Sequence, residues 1–358
     1  MALKAAGAGS EMEKIKIGQV GVGHEHSQGK ITTLKSMSDV FEIVGVVDDR
    51  ATSRGAWFFP PDVLKEGILK PYEGLKFMTE EELFNVPGLQ AVTVETPNAD
   101  LVPTALRCME RNLAMHMDKP GGEDMSLFRK LRQGCEERNL PFQIGYMFRG
   151  NPAVQFCKRI VREKWLGDIY EIQATMSHNY GSDVYHEYLS TFRGGIMFNL
   201  GCHLIDFIVS MMGRPEKITP FLKSTAGASP SAGNNCVTVL EYPNATVTLR
   251  ACSVELGAGG QGGRPLKISG TNGSAYLCPL ERFDGQALKV YLSLREGNAE
   301  YSAGSHEIEF EPQKDRYEKQ LRELAGMIRG EVKNPYPSGH DCLVQEVLLA
   351  ASGYTAWK

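Results

Sequence analysis

The chain has 358 residues, 42% of them hydrophobic and 23% charged, with a net charge of −4. That balance belongs to a soluble globular chain long enough for two domains. No apolar run reaches the length of a membrane span, and no basic stretch offers a footprint for nucleic acid. Eight cysteines are scattered without a C-x-x-C pair, which argues against a zinc site. Residues 1–13 are small and polar, lack the apolar core of a secretory signal, and are expected to be a disordered leader. Together these features fit a reducing cytoplasm.

From residue 14 the chain alternates strand and helix patterns. "KIKIGQVGV" reads as a buried strand, 27–38 as a helix and "FEIVGVVDD" as a second strand. "LQAVTVETP" is a third strand, followed by the helix "VPTALRCMERN", with Pro103 near its start, where proline is tolerated. "LAMHMDKP", "MSLFRKLRQGCEERN" and "PFQIGYMF" continue as strand, helix and strand. This succession predicts a doubly wound parallel sheet of the Rossmann type over 14–148.

The pattern then changes. A helix is predicted over 151–164 and a strand over 168–178. The segment 180–194 reads as irregular, and 196–212 as a helix. Strand-like runs follow from "ITPFLKS" to "LKVYLSL", with the Asn272-Gly273 pair marking a hairpin. "SGHD", Ser338 to Asp341, resembles a capping box ahead of a last helix. Residues 149–358 are therefore expected to form an α+β domain on a large, mostly antiparallel open sheet.

Two features point to a dinucleotide. In "GVGHEH" Gly21 and Gly23 stand where the G-x-G-x-x-G loop needs a tight turn and a close backbone approach to pyrophosphate. His26 stands where the third glycine is expected, and His24 and His26 are candidate cofactor contacts. Asp48 ends the next strand, where a carboxylate accepts from ribose hydroxyls and repels a 2′-phosphate, favouring NAD over NADP. Arg50, two residues on, is a candidate phosphate partner.

With "TPN" (Thr96 to Asn98) and "DKP" (Asp118 to Pro120), the chain resembles the glucose–fructose oxidoreductase / inositol dehydrogenase / rhizopine catabolism (GFO/IDH/MocA) family. The resemblance continues through "GGIMFNLGCHLIDFIVSMMG", "ISGTNGSAYL" and the "SGHD" helix, so it covers nearly all of the chain from about residue 14. Asp118 stands where the family has glutamate, and Asn199 where it has aspartate. The resemblance implies an NAD(P)-dependent oxidoreductase acting on a ring hydroxyl of a sugar, glycoside or cyclitol, and a homodimer or homotetramer formed through the second sheet.

The resemblance also assigns residues. Lys119 matches the lysine that orients or activates substrate, since a lysine at the carboxyl edge of a parallel sheet faces the ligand crevice. His203 matches a histidine beside the substrate and is the candidate general base. At 100° per residue Asn199, His203 and Asp206 share one helix face, with Asp206 expected to orient His203. Thr96 and Asn98 are expected beside the cofactor, and Tyr146, Arg149, His178 and His186 beside the substrate. Three functions are compatible with this set. The first is NAD-dependent hydride transfer at a ring carbon, C3 of a glucoside included. The second is NAD-assisted glycoside cleavage by transient oxidation and elimination, with His178 or His186 as base. The third is a non-catalytic binding protein on the same fold.

Overall fold

The computed structural model describes residues 13–53, 69–180, 183–229, 232–256 and 263–358; the expected leader lies almost wholly outside them. Strands β1 (Ile15–Val20), β2 (Phe41–Val47), β3 (Phe77–Met78), β4 (Ala91–Val94), β5 (Ala114–Met117) and β6 (Phe142–Ile144) form one sheet in the order β3-β2-β1-β4-β5-β6. All its pairings are parallel. Every residue of β4 and β5 is buried, as a sheet covered by helices on both faces requires. Helices α1 (Ser27–Ser36), α2 (Glu80–Phe84), α3 (Asn98–Glu110) and α4 (Met125–Glu137) belong to this part of the chain. The strand order reverses between β1 and β4, which opens a crevice at their carboxyl ends.

The second half begins with α5 (Pro152–Arg162) and β7 (Ile169–Ser177). It continues through β8 (Lys217–Lys223), β9 (Asn235–Tyr242), β10 (Ala245–Cys252), β11 (Leu266–Gly270), β12 (Gly273–Leu277), β13 (Leu288–Leu294) and β14 (Gly304–Phe310). These strands form a sheet in the order β14-β13-β12-β11-β7-β10-β9-β8. Only the β7–β10 pair is parallel; the other pairings are antiparallel.

Several local expectations are corrected. The segment read as irregular contains α6 (Asp183–Ser190), whose Tyr185, Tyr188 and Leu189 recur at helical spacing and are buried. The helix over 196–212 opens as a π-helical turn, Met197–Gly201, before α7 (Cys202–Met212). "SGHD" makes no capping box: α9 (Ser338–Ala351) is capped by Pro337 without a side-chain bond. The Ser338 hydroxyl goes instead to Glu136, and Asp341 to two arginines. Among the described residues a capping box is formed by Thr79 with Glu82, at the start of α2. Strands β3 and β14 and helices α2 and α8 (Glu318–Ile328) are additions to the sequence reading. Helix α8 returns to the first sheet, where Leu321 and Ala325 share a core with Ile15, Ile17 and Ile31.

A buried ion cluster ties the two halves together. Arg149, in a 3₁₀ turn after β6, donates to Asp206 of α7 at 2.6 Å and to Asp341 of α9 at 2.7 Å. Asp341 also pairs with Arg132 of α4, and Asp206 with His340. Burial alone would raise the Asp206 carboxyl; Arg149 and His340 outweigh it and hold the group at about 2. Because the folded value is depressed, this stabilisation is complete above about pH 4, the range of a free carboxyl, and is lost as pH falls toward 2. Arg149→Met is expected to cost about 3 kcal/mol at neutral pH. Denaturant titrations at a series of pH values should show wild type and variant converging on acidification.

Candidate active site

The crevice at the switch point is a cavity of 580 Å³ lined by Val20, Val47, Asp48, Asp49, Thr52, Ser53, Thr96 and other residues. It lies where a dinucleotide's adenosine half sits in this topology. Gly21 has φ +98°, and a Cβ there would stand 2.6 Å from the Thr96 amide nitrogen, so only glycine brings the loop this close to the end of β4. Gly23 is buried beside it. Asp48 lines the crevice, but its carboxylate is held by the Arg50 guanidinium. Asp49, unremarked in the sequence reading, accepts the Val22 amide of the glycine loop at 2.9 Å. Burial pushes the Asp49 carboxyl up to about 6. The glycine cradle, the crevice and the carboxylates at its rim fit the adenosine half of a dinucleotide.

Beyond the loop the two histidines turn inward. His24 is buried, with Nδ1 accepting the His26 amide and Nε2 facing Lys119 O at 3.0 Å and Asn98 Oδ1 at 3.2 Å. His26 caps α1, and its Nδ1 meets Asp118 Oδ1 at 3.0 Å. Asp118 is fully buried at the end of β5, accepts the Lys119 amide at 2.7 Å, and lies 3.5 Å from the Lys30 ammonium of α1. Burial would raise the Asp118 carboxyl, but His24, His26 and Lys30 outweigh it and hold it well below its ordinary value. Lys30 also donates to His116 Nε2 and pairs with Glu95. His24, His26 and Asp118 place ligand atoms within 4.8 Å of one another, the only such group among the described residues. Both nitrogens of His24 already have protein partners.

Lys119 is fully buried, and its ammonium donates to Glu25 Oε1 at 2.5 Å and to Asn199 O at 2.9 Å. Burial works against its charge, but Glu25 more than compensates, so its pKa is raised. For Glu25, burial is likewise outweighed, chiefly by Lys119, and the carboxyl falls to about 2. Asn199 Oδ1 accepts from Lys119 and Asn98, and its Nδ2 donates to the Tyr185 hydroxyl, each at 3.3 Å.

Glu25 and His203 line one cavity of 250 Å³, together with His26, Met147, His178, Tyr180, Leu200, Arg264 and Arg316. His203 Nδ1 accepts the Met147 amide at 3.3 Å, so the neutral ring carries its proton on Nε2, which is buried without a partner. Burial first, and Lys119 second, push His203 well below its usual pKa.

Lys119, Asn199, His203 and Asn98 are thus brought together, with His178 on the same cavity. Asp206 is not the partner of His203; it is spent on Arg149 and His340. Arg149 is locked in that ion cluster, away from the cavity. Tyr146 is buried behind His203, ring centroids 6.0 Å apart. His186 faces a separate cavity with Thr225 to Ser229, because α6 turns its tyrosines inward and His186 aside. The residues the sequence reading passed over are Glu25, Lys30, Asp49, Tyr180, Arg264 and Arg316. Lys30 alone had a local signal, lying on the helix face of Ile31 and Leu34.

Residues 154–276 match the GFO/IDH/MocA C-terminal domain. The bovine trans-1,2-dihydrobenzene-1,2-diol dehydrogenase is 27% identical over 55% of this chain. The scyllo-inositol 2-dehydrogenase (NADP(+)) IolW of Bacillus subtilis is 24% identical over 39%. The chain spans 57% and 39% of the lengths of these two relatives. Among solved structures, GenD2 from gentamicin A biosynthesis, in complex with NAD, superposes with a TM-score of 0.74 at 17% identity. That match covers 99% of this chain and 97% of GenD2, and it establishes likeness of fold.

His26 and Asp118 are bonded to each other between the start of α1 and the end of β5. His26→Gly and Asp118→Glu are each expected to destabilise the fold by about 1–3 kcal/mol. Combined, they should cost less than the sum by about 1 kcal/mol, read as the coupling energy of a double-mutant cycle in denaturant.

Proposed function

We propose that the chain is an NAD-dependent oxidoreductase of the GFO/IDH/MocA family, acting on a ring hydroxyl of a sugar, glycoside or cyclitol. The observation that carries this reading is the Lys119 ammonium, bonded to Glu25 on the wall of the cavity that His203 also lines. When bound, the dinucleotide supplies the hydride donor or acceptor. Gly21, Gly23 and the start of α1 would receive its pyrophosphate, with Thr96 and Asn98 along its path.

The roles at the reacting oxygen follow from protonation. Lys119 is held as an ammonium, so it donates a proton to a carbonyl oxygen as that carbon gains hydride. In the reverse direction it takes the hydroxyl proton, which requires it to be neutral first. His203, with its proton on Nε2, donates a hydrogen bond to the same oxygen and orients it; this reading assigns proton exchange to Lys119 rather than to His203. Asn199 fixes the lysine through its backbone and side-chain oxygens. Since the Lys119 pKa is raised, oxidation speeds up as pH rises toward that value and carbonyl reduction slows.

The exposed face of the second sheet carries Phe221, Tyr276 and Tyr291, the last two paired across β12 and β13. This supports assembly of the chain with copies of itself through that sheet. No helix among the described residues is long and apolar enough to cross a membrane.

Lys119→Met should lower the NAD-linked rate by about 10²–10⁴-fold while NAD binding, read by calorimetry, stays within a few-fold; it should also flatten the alkaline rise in oxidation. Asp48→Ala frees Arg50 and is expected to shift the NADP-to-NAD affinity ratio upward by about tenfold, measured by competitive binding of the two dinucleotides.

A further inference from the structure

We propose that the 250 Å³ cavity binds a substrate bearing a carboxylate, and that Arg264 and Arg316 hold it. This rests on the reading of that cavity as the substrate site. Arg264 and Arg316 both line the cavity, and both are committed to a single anion, Glu281. Arg316 reaches Glu281 through Nε at 2.9 Å and a terminal nitrogen at 2.7 Å, and Arg264 bonds Glu281 through one terminal nitrogen. Arg264 and Glu281 are 4% and 2% exposed, and the Arg264 Nε is buried without a partner. Two guanidinium charges against one carboxylate leave an excess of one positive charge on the cavity wall, Arg264 buried and Arg316 partly exposed.

The other ionisable groups facing the cavity do not cancel that excess. Glu25 is taken by Lys119, His26 by Asp118, and His203 is neutral. A buried cation without a counter-charge is costly, and a planar guanidinium matches a planar carboxylate through paired N–H donors. One unit of excess charge suits a monoanion better than a phosphate dianion. The cavity is smaller than the roughly 300–1,000 Å³ of pockets for drug-sized ligands, which suits a single carboxylated ring. His178 and Tyr180, set edge to face with centroids 4.6 Å apart, add apolar wall to the cavity beside such a ring.

The test is calorimetric binding of uronates, their parent neutral sugars and the corresponding sugar phosphates to the full chain, with and without NAD. At least one uronate should bind about tenfold or more tighter than its parent sugar. Arg264→Gln should erase that preference, and His186→Ala, on a separate cavity, should retain it. Should Arg264→Gln fail to fold, Arg316→Gln, at the more exposed of the two arginines, is read the same way. Equal binding of uronate and parent sugar, no uronate binding, a stronger preference for the phosphates, or a preference that survives loss of the arginine would overturn the proposal. Failure of the redox reading looks different: the charge preference persists, but no absorbance develops at the wavelength of reduced nicotinamide.

Discussion

The buried carboxylate of Asp118 is the constraint on which the site depends. It sits at the end of β5, fully withdrawn from water, and its charge is tolerable only because partners converge on it. Those partners are His24 in the glycine loop, His26 at the cap of α1, Lys30 one turn along that helix, and the amide of Lys119 beside it in sequence. The carboxylate therefore fixes the start of α1 against the sheet and sets the backbone from which Lys119 projects. Moving any of these moves the ammonium that holds Glu25 on the cavity wall.

The departures from the family's pattern meet in space. His26 replaces the expected glycine of the loop, and Asp118 replaces the expected glutamate; the longer side chain at one position reaches the shorter one at the other, 3.0 Å apart. A second pair behaves the same way. Asn199 brings no charge where the family has aspartate, and Glu25, from the glycine loop, supplies the carboxylate that Lys119 needs. The loop thus does two jobs: its glycine backs onto β4, and the side chains after it complete the wall of the cavity. A single departure read alone suggests a damaged site, whereas in space each changed residue lies beside a partner: Asp118 meets His26, and beside Asn199 the Lys119 ammonium finds Glu25.

The parallel sheet, its two-residue edge strand β3 apart, was legible because its strands are largely apolar runs, and runs of that kind leave little choice of architecture. Lys119 and His203 were legible from their order among the motifs. What escaped was set by partners distant in sequence. Asp206 lies on the helix face the wheel assigned it, one turn from His203, yet Arg149 and His340 claim its charge. His186 was misplaced because its segment was read as irregular and is helical. Arg316 precedes α8, a helix absent from the sequence reading, and meets Arg264 only across the second sheet's end through Glu281. Glu25 sat in plain view at a position that the loop pattern treats as free, and only Lys119, 94 residues away, gives it meaning.

The claim that this arrangement moves a hydride is tested most directly by isotope. The full chain, NAD and a ring polyol or uronate deuterated at its carbinol carbons are combined under alkaline conditions, and the nicotinamide is weighed by mass spectrometry. The account predicts one deuterium on each reduced nicotinamide, in step with the ketone formed. Ketone or cleavage product that appears while bound NAD gains neither mass nor absorbance, or NAD that binds and is reduced by no member of the panel, would contradict it.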